Sequence, residues 1–216
     1  MFRRAVPRYG ILLAVLLTAC TRAQPSIEFG TMRLVWQQVD SVLTPTLIFF
    51  VMASDPDGAE DLEELRLYHD DDGLLWRFTS DNWQRLEESG KTWIGSKMLR
   101  MPQGESFPSG QYRAVVIDKA GEQGEKTFGF EMPADSKYRF PRLSVAEGNY
   151  SVTSDYPENY LLCYHSDGAF RSLLKLDSKN GTILSLRLSA DVSSIALWAD
   201  DQTNVLSALT AQVNVR

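Results

Sequence analysis

Short runs of Val, Ile, Leu and aromatic residues recur along the chain, separated by clusters of Gly, Asp, Asn and Pro. Many alternate with polar residues at a period of two, the spacing of a strand with one buried face. The first series is predicted at 32–39, 46–53, 62–68, 74–79, 91–98, 111–118 and 126–132. Seven strands in about 100 residues is the density of a two-sheet sandwich. Pro133-Ala-Asp-Ser-Lys137 interrupts the pattern, and a second series follows at 142–145, 150–154, 161–165, 170–176, 182–188, 194–199 and 206–215. Asn180-Gly181 reads as a two-residue hairpin turn, since both residues accept positive φ. The prediction is all-β.

The two series resemble each other. Leu65-Arg-Leu-Tyr-His69 followed by Asp70-Asp-Asp-Gly73 parallels Leu161-Leu-Cys-Tyr-His165 followed by Ser166-Asp-Gly168. Ala114-Val-Val-Ile-Asp118 parallels Ala196-Leu-Trp-Ala-Asp200. The first offset is 164 − 68 = 96 residues and the second 200 − 118 = 82. The first unit therefore carries extra material, placed at 80–89 and 101–108. Such self-similarity points to tandem modules.

Composition narrows what the modules do. The chain carries 22 Lys and Arg against 28 Asp and Glu, a net charge of −6. An acidic body argues against nucleic-acid binding, which needs a basic patch for phosphates. The N-terminus differs from the rest: Arg3, Arg4 and Arg8 precede the apolar run Ile11–Leu17, which ends in Leu17-Thr18-Ala19-Cys20. That run is too short to span a bilayer, which takes about 20 apolar residues, and a basic start before it has the form of a secretory signal. The segment resembles the bacterial lipoprotein signal peptide with its lipobox. The resemblance implies cleavage after residue 19, lipidation of Cys20 and a membrane anchor in the cell envelope. Thr21 after the cysteine, in place of Asp, implies the outer membrane, on its periplasmic face or at the surface. If Cys20 carries lipid, Cys163 has no partner for a disulfide. Its strand-like setting reads as a buried thiol packing as a small hydrophobe.

Pro108-Ser-Gly110-Gln-Tyr112 followed by Arg113-Ala-Val-Val-Ile-Asp118-Lys-Ala-Gly121 resembles the F–G region of bacterial immunoglobulin-like and fibronectin type III-like domains. The resemblance implies a tyrosine corner at Tyr112 and a hairpin turn built by Asp118 and Gly121. It covers residues 31–132 and, more weakly, 140–216. The organisation expected is a signal peptide (1–19), a lipidated tether (20–29), a first immunoglobulin-like β-sandwich (30–133), a linker (134–139) and a second sandwich (140–216). This architecture specifies fold better than function.

Few residues suggest chemistry. Asp55, Asp57, Glu60 and Asp61 surround Gly58 in a segment that suits either a tight turn or a calcium loop, because calcium favours closely spaced carboxylates. Asp70, Asp71 and Asp72 read as a solvated hairpin tip and as a candidate contact for a partner, and would strengthen the calcium reading only if the two clusters met in space. His69 and His165 fall in different units and cannot readily share a metal. Four tryptophans (Trp36, Trp76, Trp93 and Trp198) read as core. Trp83, with Arg85, sits in the 80–89 insertion, either as a lid on the core or as a contact for a partner. No nucleophile elbow, phosphate loop or dinucleotide fingerprint is present, so no enzyme and no cofactor is expected beyond calcium. The expectation is a lipid-anchored, non-catalytic envelope protein acting in protein binding, adhesion or scaffolding through its sandwich loops, with an envelope or surface protein as partner. The alternatives are a carbohydrate or small-ligand module using Trp83 and a calcium-stiffened spacer.

Overall fold

The computed structural model describes residues 23–39, 42–133 and 138–215. The signal segment and Cys20, part of the expected tether, and residues 134–137 of the expected linker lie outside the described residues. The first eight strands are β1 (Ser26–Val39), β2 (Val42–Ser54), β3 (Leu62–His69), β4 (Leu74–Thr79), β5 (Gln84–Glu88), β6 (Lys91–Leu99), β7 (Gly110–Asp118) and β8 (Gln123–Phe130). The next eight are β9 (Arg142–Ala146), β10 (Asn149–Thr153), β11 (Glu158–Tyr164), β12 (Phe170–Lys175), β13 (Asn180–Thr182), β14 (Ser194–Asp201), β15 (Leu206–Leu209) and β16 (Val213–Asn214).

Strands β1-β2-β6-β5 and β4-β3-β7-β8 form the two sheets of the first sandwich. This is the A-B-E-D against C′-C-F-G order of immunoglobulin-like folds. Alternating residues build its core: Phe49 and Val51 of β2, Leu65 and Leu67 of β3, and Tyr112, Ala114 and Val116 of β7 are all fully buried. The expected tyrosine corner is present, because Tyr112 Oη donates to the Pro108 carbonyl at 2.8 Å. Gly110 turns with φ 146°, and a Cβ there would meet His69 Nε2 at 2.7 Å. At the other end of β7, the Gly121 amide closes the turn on the Asp118 carbonyl at 3.1 Å.

The second sandwich sets β13-β10-β9 against β12-β11-β14-β15. Strands β3 and β11, and β7 and β14, occupy matching places, as the internal similarity predicts. The extra segment 80–89 of the first unit contains the edge strand β5. Cys163 is buried, with its thiol pKa pushed up by burial. One expectation fails locally. Asn180-Gly181 is not a hairpin turn; both residues lie in β13, opposite Ser151 and Tyr150. Glycine is needed there because a Cβ would stand 2.9 Å from the Tyr150 ring. The chain then leaves the sheet in a 3-10 turn at Ile183–Leu186 instead of continuing as a strand.

The two units also share a sheet. Strand β15 adds in parallel to β1, Leu34–Gln37 matching Leu206–Leu209, so that nine strands form one continuous sheet. Arg33 of β1 reaches across this seam, its guanidinium 2.6 Å from Asp200 Oδ1 and 3.0 Å from Ser207 Oγ. Ser207 Oγ donates to the same carboxylate oxygen at 2.5 Å. Tyr138 Oη donates to Asp201 Oδ2 at 2.6 Å, and its ring packs tilted against Tyr156 with centroids 4.4 Å apart.

Candidate functional site at the loop pole of the first sandwich

Three connections converge at the end of the first sandwich where β1 begins: the β2–β3 loop (55–61), the β4–β5 connection (80–83) and the β7–β8 turn (119–122). The sequence dictates the first. Asp55 Oδ1 accepts the Asp57 amide at 2.7 Å, the Gly58 amide donates to the Asp55 carbonyl at 3.0 Å, and Gly58 bends with φ 111°. This is the tight turn that Asp and Gly favour. The Lys119 amide donates to the Asp61 carbonyl at 2.9 Å and Lys119 Nζ to the Glu60 carbonyl at 2.6 Å, tying the β2–β3 loop to the β7–β8 turn.

Of the four acids expected here, only Asp55 and Asp61 converge, and Asp118 joins them from the end of β7. One carboxylate oxygen from each of these three lies within 4.8 Å of the others. Asp118 is 1% exposed and its Oδ1 accepts the Glu122 amide at 2.8 Å. Asp55 Oδ2 is buried and accepts no hydrogen bond. Burial raises the Asp55 pKa; the Asp57 amide opposes this, while Asp118, Asp61 and Asp57 add repulsion. Asp57 is exposed, and Glu60 turns away to pair with Arg85 at 2.5 Å. Asp118 is legible in the sequence only as a turn residue. Its place beside Asp55 and Asp61 follows from the pairing of Leu62 with Asp118 across β3 and β7.

A cleft of about 460 Å³ opens next to the acidic cluster, with Leu62 and Trp83 as its largest apolar walls and Glu60, Glu63, Arg85 and Lys119 as its charged rim. The Trp83 amide donates to the Thr79 carbonyl at 2.9 Å, and Asn82 Oδ1 accepts the Thr79 amide at 2.8 Å. The indole is half-buried and packs on the core, so Trp83 is both lid and cleft wall. Arg85 is held between Glu60 and Glu87, the latter at 2.8 Å. The other four tryptophans are half-buried too, not core; Trp36 and Trp76 pack against the core from its margin.

Asp70, Asp71 and Asp72 stand at the opposite end of β3 and do not meet the first cluster. Arg113 binds Asp70 through two hydrogen bonds of 2.9 Å and lies 4.4 Å above the Tyr68 ring. It lowers the Asp70 pKa. Asp71 is exposed, and Asp72 Oδ2 lies 2.9 Å from His69 Nδ1 without hydrogen-bond geometry. His165 lies 3.7 Å from Asp191 in the second unit.

No protein-family model matches the chain, and no curated protein matches it. Among solved structures it is similar to Tp47, the 47-kilodalton lipoprotein of Treponema pallidum. The identity is 9% and the TM-score 0.40, over 89% of this chain and 51% of that one. It is similar to dimeric latent PorU from Porphyromonas gingivalis at 10% identity and TM-score 0.35, over 89% of this chain and 20% of that one. The N-terminal Ig1-2 module of the Drosophila receptor protein tyrosine phosphatase DLAR gives 12% identity and TM-score 0.39, over 88% and 97%. The chain thus spans about half the length of the first and a fifth of the second. Likeness at this level assigns no family, ligand or activity.

Proposed function

We propose that the protein is a lipid-anchored, non-catalytic component of a bacterial envelope that binds a protein partner through the loop pole of its first sandwich. The observation that carries this reading is the cleft walled by Trp83 and Leu62 and rimmed by Arg85, Glu60, Glu63 and Lys119. A half-exposed Trp beside an Arg on loops held by a rigid sandwich is the composition of a binding hot spot. Anchoring restricts where the partner lies. Ser26, the first residue of β1, is the sixth residue after Cys20. An extended chain covers at most about 3.5 Å per residue, so a lipidated Cys20 holds this pole within roughly 20 Å of the bilayer.

Two measurements test the reading. Cys20→Ser should move the protein from the membrane fraction to the soluble one. A photo-crosslinker placed at position 83 in cells should give one discrete protein adduct, lost on Arg85→Glu. Unchanged fractionation would remove the anchor. Absence of an adduct at 83, with adducts forming elsewhere on the surface, would remove the pole as the contact. Quenching of Trp83 fluorescence by a glycan would instead favour a carbohydrate ligand.

A further inference from the structure

We infer that Asp55, Asp61 and Asp118 form a site for a divalent, oxygen-seeking cation of the calcium type, which clamps the β2–β3 loop to the β7–β8 turn. Three carboxylates supply one oxygen each, all within 4.8 Å of one another. Oxygens bound to one Ca²⁺ at 2.3–2.6 Å can be no farther apart than about 5 Å, so the spacing suits a shared ion. A separate observation points the same way. Asp55 Oδ2 is buried without any hydrogen-bond partner, and a buried carboxylate oxygen left unpaired is costly. Two oxygens of the group accept backbone amides: Asp55 Oδ1 takes the Asp57 amide and Asp118 Oδ1 the Glu122 amide. Those bonds fix both carboxylates in orientation.

Lys119 Nζ is engaged by the Glu60 carbonyl, and Arg85 by Glu60 and Glu87. An all-oxygen donor set selects calcium or magnesium over zinc, which prefers nitrogen and sulfur ligands. Magnesium demands tighter octahedral geometry and keeps most of its water, so calcium is the better match for ligands gathered from two loops. The inference stands whether or not the neighbouring cleft binds a partner.

The test is thermal unfolding of the full chain in chelator and then in rising CaCl₂, with calorimetric titration for stoichiometry. Saturation at about 100 times Kd should raise Tm by roughly 5–10 °C, with one ion bound per chain. Asp61→Asn should abolish the shift while raising the calcium-free Tm, because it relieves repulsion. Asp57→Asn and Glu60→Gln, outside the three-carboxylate group, should keep the shift. Asp61 is the least buried of the three, so its variant tests the site even if Asp118→Asn fails to fold. No Tm shift and no heat at millimolar calcium, or an equal shift in Asp61→Asn, would overturn the inference. A crosslink from position 83 that persists in Asp61→Asn would leave the partner site standing without the ion.

Discussion

Arg33→Met tests whether the two sandwiches behave as one unit. In the native chain the Arg33 guanidinium, Asp200 and Ser207 form a closed triangle across the β1–β15 seam, with contacts of 2.6, 3.0 and 2.5 Å. Asp200 is 5% exposed, Ser207 is fully buried and the Arg33 side chain is 24% exposed. Methionine keeps most of the apolar stem but leaves the Asp200 carboxylate with Ser207 as its hydrogen-bond partner. Breaking a fully buried pair from one side costs about 3–5 kcal/mol. Here Arg33 is partly exposed and Ser207 remains, so about 2 kcal/mol is expected. The four-residue parallel ladder beside it is too short to absorb that loss, since each net backbone hydrogen bond is worth about 1 kcal/mol. Urea unfolding should therefore pass from one transition to two in the variant. Trp198, the single tryptophan of the second unit, reports that unit once the other four are replaced by Phe. Adding Asp200→Asn should recover part of the loss, because it removes the stranded charge. A midpoint change worth less than about 0.5 kcal/mol, or strict additivity of the two substitutions, would refute the latch.

Two further outcomes concern the first sandwich. Glu64 is buried between Arg66, at 2.7 Å, and Arg77, and these bonds pull its pKa from 4.5 down to about 2. A depressed carboxylate contributes stability above its unfolded pKa and loses it as pH falls. Glu64→Gln should thus cost about 1–2 kcal/mol at pH 7, after discounting for the exposed Arg77, and the gap to wild type in urea midpoint should close between pH 4.5 and about 2; a gap independent of pH would sink the assignment. Tyr112→Phe deletes the corner hydrogen bond to Pro108 while leaving the ring packed among His69, Trp76 and Phe130. It should cost about 1 kcal/mol in denaturant unfolding, and a loss near zero would show the corner to be dispensable.

Much of the fold is legible because the strands alternate. In the run Gln111–Asp118 the alternate residues Tyr112, Ala114 and Val116 enter the sandwich core, and the matched Tyr-His strand ends identify β3 and β11 as equivalents. Strand β5 leaves no such trace, since all five of its residues are exposed and only pairing with β6 makes it a strand. Asn180-Gly181 misleads because the same dipeptide that suits a tight turn also suits a strand that must pass close to a tyrosine ring. Within the candidate site, Asp55 and Asp61 are visible as neighbours around Gly58. Asp118 is not, since its approach depends on how β3 and β7 register. Asp57 and Glu60 resemble ligands in sequence, yet one faces solvent and the other satisfies Arg85. The shared sheet has no local signature at all: a parallel pair between residues 34–37 and 206–209 is a property of the whole chain.

That pairing has a consequence for the order in which the molecule is made. Leu34 and Leu206 are 206 − 34 = 172 residues apart, and closing a loop of that length costs about 4–5 kcal/mol of chain entropy. The first sandwich can complete both of its sheets with β1 hydrogen-bonded to β2 alone. Strand β15 belongs to a unit that must itself be assembled before it can reach β1. Until then the outer edge of β1 at Leu34–Gln37 is an open row of amides and carbonyls, able to accept a strand from any other chain. The interval between the first sandwich closing and the last strand arriving is when the protein is most exposed to mispairing with its own copies.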